Sequence, residues 1–155
     1  MFQIERVAAQ PERFPNTTQA GEHLHHTGLV VASIAAVMES FCRAVGGSHW
    51  SETWYDPLQR VRVAFIYQVS PDDPCIELVE PAGPDSPVKE FLERGGGLHH
   101  LCYEVDSLDE TLPDTSARGL VMIRRPQPAV AFGGRRIAWF VTREGLLVEH
   151  LERAC

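Results

Sequence analysis

The chain has 155 residues, enough for one domain with a proper core, and its 44% hydrophobic and 23% charged composition is that of a folded globular protein rather than a disordered one. A formal net charge of −7 excludes the broad basic surface that nucleic-acid binding requires. No apolar run approaches a membrane span, Met1–Arg6 lacks the apolar core of a secretory leader, and the four cysteines include no C-x-x-C pair, so the expectation is a cytoplasmic protein with free thiols.

Residues 1–21 show no clear period, and Pro11 and Pro15 break any helix there, so they read as an N-terminal extension. Leu24-His25-His26 then opens an apolar run through Val31 that predicts a strand. Ser33 is suited to cap a helix whose apolar residues Ile34, Val37, Met38 and Phe41 recur at helical spacing, with Gly46 as its stop. Val61, Val63 and Phe65 mark one extended run and Cys75–Glu80 another. Pro81, Gly83, Pro84 and Pro87 mark a linker, with Pro87 expected in the first turn of a short helix ending at Gly95-Gly96-Gly97. Leu98-His99-His100 opens the next apolar run, Ser107–Glu110 is a capping-box pattern, and Pro113 predicts a short helix ended by Gly119. Arg136–Val141 and Leu147–Glu152 are β-rich.

The chain repeats itself. His100 follows His26 by 74 residues, and Glu149 follows Glu77 by 72 (149 − 77). Each unit begins with a His-His pair on a strand, continues through a helix, and ends three strands later with a glutamate between apolar neighbours. If the first and last strands of a unit lie side by side, one His and one Glu meet on a common face. Two facing units then gather two imidazoles and two carboxylates. Such a set suits one borderline divalent ion, Zn, Ni, Co, Fe or Mn, and leaves coordination positions open. A glutamate buried without a partner is expensive, which strengthens the reading for Glu77 and Glu149. Strand alternation expects His25 and His26 on opposite faces, and likewise His99 and His100, and the repeat alone does not say which of each pair points inward.

Three arginine pairs, Arg60/Arg62, Arg124/Arg125 and Arg135/Arg136, are candidates for an anionic substrate, against the commoner reading of solvated strand or loop positions. Cys75 and Cys102 are expected on the ligand face, chiefly as small buried apolar groups, and Trp139 and Tyr103 as core or pocket wall.

The segments Leu24–Gly28, Ile76–Pro81, Asp85–Val88, Gly95–His100 and Gly133–Ala138 resemble the glyoxalase/vicinal-oxygen-chelate superfamily, and within it the methylmalonyl-CoA epimerases. The resemblance spans residues 22–152. It implies an α+β fold of two βαβββ modules, residues 22–81 and 97–152 joined by a linker helix at 82–96, forming a curved eight-stranded mixed sheet. It further implies one divalent metal ion on His26, Glu77, His100 and Glu149, a small-molecule substrate such as an acyl thioester, and a homodimer. The implied chemistry is removal of a proton next to a carbonyl, with Glu149 as first choice for the base and Glu77 as its opposite number. The sequence departs from the epimerases in three places: the run Arg60–Phe65 carries no acid where they place a second base, their substrate loop is shortened to Thr142–Gly145, and the N-terminal extension over residues 1–21 is unusual. A glyoxalase I-like lyase acting on a thiol adduct, an extradiol oxygenase, and a non-catalytic small-molecule-binding member of the same fold are the rival expectations, the oxygenase disfavoured by Glu77 as a fourth ligand.

Overall fold

The structure, a computed structural model, describes residues 21–154. The extension expected over residues 1–21 therefore lies, apart from Gly21, outside the described residues. The first half comprises β1 (His23–Val30), α1 (Ile34–Ala44), β2 (His49–Trp50), β3 (Trp54–Asp56), β4 (Val61–Tyr67) and β5 (Cys75–Pro81). A short α2 (Lys89–Glu93) leads to β6 (Gly97–Val105), α3 (Leu108–Thr115), β7 (Val121–Pro128), a 3-10 turn (Val130–Phe132), β8 (Arg136–Val141) and β9 (Leu147–Glu152).

The helix ends follow their capping residues. The Ser33 hydroxyl accepts the Ala36 amide at 3.3 Å, and the Ser107 hydroxyl accepts the Glu110 amide at 3.4 Å. Pro113 has no N–H to give Asp109, and α3 runs only two residues past it, so it ends at Thr115, four residues short of the expected stop at Gly119. α2 begins after Val88, so Pro87 precedes that helix instead of occupying its first turn.

The strands form one curved mixed sheet in the order β2-β4-β5-β1-β6-β9-β8-β7, with β3 also paired to β4. β5 lies parallel to β1, β9 lies parallel to β6, and β1 and β6 meet antiparallel in the middle. The two halves thus repeat one arrangement. Among the described residues nine strands appear instead of eight, because the second strand of the first half is broken. His49–Trp50 and Trp54–Asp56 both pair with β4, and between them Ser51 takes over the ladder. The Ser51 amide donates to the Phe65 carbonyl at 2.9 Å, and its hydroxyl accepts the Phe65 amide at 2.9 Å.

Alternation divides the strand residues between two faces. On one face Ala64, Ile66 and Leu78 pack under Ile34, Met38 and Cys42 of α1, while Val105, Ala138, Phe140 and Val148 pack under Leu108 of α3. On the other face Val61, Val63, Phe65 and Val79 form a second cluster, closed over by Phe91, Leu92 and Phe132. α1 and α3 therefore leave this second face for the site. Among the described residues no helix is long and apolar enough to cross a membrane.

Candidate metal centre

The strand registers decide which side chains meet. Across the central β1–β6 ladder His26 stands opposite Cys102 and Gly28 opposite His100. On the flanks Gly28 stands beside Glu77 and Cys102 beside Glu149. His26, Glu77, His100 and Glu149 consequently project into one space, and all four are buried. His26 Nε2 lies 3.4 Å from Glu77 Oε2 and 3.3 Å from Glu149 Oε2. His100 Nε2 lies 3.2 Å and 3.5 Å from the same two oxygens, and the two Nε2 atoms are 3.2 Å apart. The structure thus brings together every residue proposed as a ligand. It leaves room by omission: Gly28 has no side chain where the His100 ring passes.

The outer histidines do not obey the expected alternation. His25 has no partner in the register between Leu24↔Tyr103 and His26↔Cys102, and His99 has none between His100↔Gly28 and Leu98↔Leu29. Each is the extra residue of a β-bulge, and bulges re-aim side chains. As a result His25 Nδ1 lies 2.9 Å from His26 Nδ1, and His99 Nδ1 lies 2.9 Å from His100 Nδ1. Both outer rings rest edge-on against aromatics, His25 on Phe132 at 5.6 Å and His99 on Phe91 at 4.9 Å.

Charge in the cluster is strongly shared. Burial works against a charged His26, but the Glu77 and Glu149 carboxylates outweigh it and hold this imidazole well above its ordinary 6.5. His100 is raised for the same reason, burial being outweighed by Glu149 and Glu77. Conversely, burial would raise the two carboxyls, but the two imidazoles hold both well below the usual carboxylate range. The outer His25 and His99 are pushed down to about 4, mainly by burial. Burial likewise pushes the Cys102 thiol up to about 12, which keeps it a neutral thiol.

A cavity of about 260 Å³ opens onto this cluster. Glu77, His100 and Glu149 lie in its lining; Val61, Val63 and Val79 supply apolar wall, and Trp139 closes one side with its ring 4.7 Å from that of His100. Phe132 covers the opposite approach, stacked on the His26 ring at 5.8 Å. Of the other sequence candidates, Cys75 lines a separate recess beside His25, Cys102 is fully buried, and Tyr103 belongs to the core under α3. Arg135 and Arg136 are held elsewhere, Arg135 by Glu104 and Arg136 by Glu152 at 2.6 Å and Asp109 at 3.0 Å. Gln59 and Val88 also line the cavity. Val88 lies in the Asp85–Val88 segment of the family resemblance, whereas nothing local in the sequence singles out Gln59, because the wall is assembled from segments far apart in the chain.

Comparison with known proteins agrees with this architecture. A protein of Bacillus subtilis described as uncharacterized, YqjC, is 35% identical over 132 residues, covering 83% of this chain and 91% of that one. The mitochondrial methylmalonyl-CoA epimerase of Mus musculus is 30% identical over 135 residues, covering 84% and 72%. The crystal structure of a hypothetical protein of Bacillus halodurans superposes with a TM-score of 0.75 at 28% identity, over 87% of this chain and 96% of the other. Residues 25–139 match the family as a whole, and on these grounds the chain belongs to the Glyoxalase/Bleomycin resistance protein/Dioxygenase superfamily.

Proposed function

We propose that this protein is a metal-dependent enzyme that moves a proton at the carbon next to a thioester carbonyl, as an epimerase does. The observation that carries the reading is the meeting of two buried carboxylates with two imidazoles at the end of an otherwise largely apolar cavity. The relative from Mus musculus, a methylmalonyl-CoA epimerase, supports this choice of chemistry.

The donor set fits a divalent ion: two imidazole nitrogens and two carboxylates converge, and the nearby thiol stays neutral and unneeded. His26, Glu77, His100 and Glu149 would hold the ion. When bound, it would supply Lewis-acid polarisation of a substrate carbonyl, making the adjacent C–H more acidic.

The remaining work falls to the chain. Glu149 would take the proton as a carboxylate and become a carboxylic acid. Glu77, held on the other flanking strand, would enter the step carrying a proton taken from solvent, give it to the opposite face of the planar carbon and be left a carboxylate, and the roles would reverse in the back reaction. Val61, Val63 and Val79 would keep water from the enolate in the meantime. The inward residues of β4 are Val61, Val63 and Phe65, so this strand supplies no acid and the two cluster glutamates are left with both tasks.

That acid-free strand also favours a second reading, a glyoxalase-like reaction on a thiol adduct, which uses the same cluster. The two are separated by incubating zinc- or cobalt-loaded protein in D₂O with methylmalonyl-CoA, and in parallel with the thiohemiacetal of methylglyoxal and glutathione. Deuterium entering the α-position of the thioester supports the epimerase reading. Turnover of the thiohemiacetal alone moves the assignment to the lyase, and inertness towards both leaves a binding module.

A further inference from the structure

Of the six arginines flagged in the sequence, Arg124 is the one that lines the cavity. Arg62 is bound to Glu80 at 3.2 Å, and Arg135 and Arg136 are held by acids as described. Arg124 has no ion-pair partner among the described residues, and it lines the cavity that opens onto His100 and Glu149. Its neighbour Ile123 lines the same cavity. Consecutive residues of a regular strand point to opposite faces, so β7 must be distorted here. The register shows the distortion: irregularities fall on both sides of Arg124, between Met122 and Arg124 and again between Arg124 and Gln127. Between them Arg124 pairs with Trp139, the residue whose ring packs on His100.

The edge strand thus bends where it turns a cation towards the cavity. The walls around that cation are chiefly apolar, with Val61, Val63, Val79 and Val88 among them. The acids of the cavity, Glu77 and Glu149, are engaged by the two imidazoles. A guanidinium in such surroundings is matched by an anion brought from outside, and its planar fork suits carboxylate or phosphate oxygens.

We propose that Arg124 is the anion-recognition residue of this cavity. The substrate then carries a negatively charged carboxylate or phosphate group besides the oxygens drawn to the His26/Glu77/His100/Glu149 cluster. The inference rests on the reading of the cavity as the substrate site.

The test is isothermal titration of the zinc-loaded full chain and its Arg124→Gln and Arg124→Lys variants with methylmalonyl-CoA, propionyl-CoA and methylmalonyl-pantetheine. Arg124→Gln is expected to bind roughly 10- to 100-fold more weakly any ligand carrying the recognised group, the loss of one charge-assisted contact, with partial recovery in Arg124→Lys. Weakening confined to the two methylmalonyl esters assigns the carboxylate; weakening confined to the two CoA esters assigns a phosphate. Unchanged affinity for all three, or an equal loss for all three, overturns the inference. A second measurement keeps it independent of the thioester reading: phenylglyoxal modification of Arg124, followed by peptide mass spectrometry, with and without succinate or inorganic pyrophosphate. If the wild-type protein binds no thioester, the acyl-thioester reading falls. Protection of Arg124 by either simple anion then still supports anion recognition, and absence of protection overturns it.

Discussion

Gly28 and His100 face each other across the β1–β6 ladder so closely that a methyl group on Gly28 would stand 2.0 Å from His100 Cε1 and 2.4 Å from its Nδ1. Neither side has room to yield. The His100 ring is buried, is tied through Nδ1 to His99, and packs against Trp139. Gly28→Ala is therefore expected to displace the imidazole from the cluster while leaving a folded chain, since overpacking of this size costs about 1–3 kcal/mol. A competitive chelator titration should show a loss of metal affinity of at least roughly 100-fold, taking the upper range for disturbed outer contacts as a floor. Wild-type affinity in a folded Gly28→Ala protein would show that the His100 position is not needed for the metal.

The outer histidines yield a second prediction. In a metal-bound state His26 and His100 would offer Nε2 to the ion, so each would keep its proton on Nδ1 and donate it to the Nδ1 of its neighbour. His25 and His99 would then be positioning residues that fix ring orientation and tautomer. His25→Ala and His99→Ala should each weaken metal binding by roughly 10- to 100-fold. Alongside this loss, the visible spectrum of cobalt-loaded protein should change as the ligand rings shift. A variant with an unaltered cobalt spectrum and unaltered affinity would reduce these residues to packing.

The difference between what the sequence disclosed and what it hid has a physical basis. His26, Glu77, His100 and Glu149 were legible because duplication places the same residue types at equivalent ladder positions, and β5 beside β1 and β9 beside β6 convert that spacing into proximity. The helices were legible through Ser33 and Ser107, whose caps act locally. What failed was the assumption of unbroken alternation. His25 and His99 sit at bulges, Ser51 interrupts a strand by taking its ladder bonds, and Arg124 is re-aimed by irregular register. Each depends on a neighbouring strand, which no local pattern in the chain reveals. Arg135 and Arg136 looked as suitable for an anion as Arg124 did; the acids Glu104, Glu152 and Asp109 that hold them, and the place of Arg124 in the cavity wall, separate them.

The metal-free protein should show a distinctive pH profile of stability. His26 and His100 have raised values in the fold, so their stabilising contribution is complete below 6.5 and is lost as pH rises through those values. Glu77 and Glu149 have lowered values, so theirs is complete above 4.5 and is lost as pH falls through them. His25, His99 and His150 act in the opposite sense. Burial pushes each down to about 4, so between 6.5 and 4 the unfolded chain takes up protons that the fold refuses. The melting temperature of EDTA-dialysed protein should therefore peak near pH 6.5 and fall on both sides. Zinc, replacing the two protons between the carboxylates, should remove the alkaline fall. A metal-free profile that stays flat between about pH 7 and 9 would contradict the shared charge in the cluster.

Glu149 and Glu77 can be separated from each other as proton carriers. Glutamine keeps one oxygen for an ion but removes the basic carboxylate, so each Glu→Gln variant should retain about one metal equivalent per chain while losing its proton-transfer role. If Glu149 takes the proton on one face and Glu77 returns it on the other, each variant can still exchange from the face its remaining carboxylate serves. Racemic methylmalonyl-CoA in D₂O then gives a stereochemical readout. Glu149→Gln should exchange the α-proton of one epimer only and Glu77→Gln that of the other, and both should lose net epimerisation by roughly 10²- to 10⁴-fold. A loss of exchange from both epimers in Glu149→Gln, with Glu77→Gln fully active, would instead assign a single base and make Glu77 a ligand alone. That outcome would favour the lyase reading, in which one carboxylate shuttles the proton on one face.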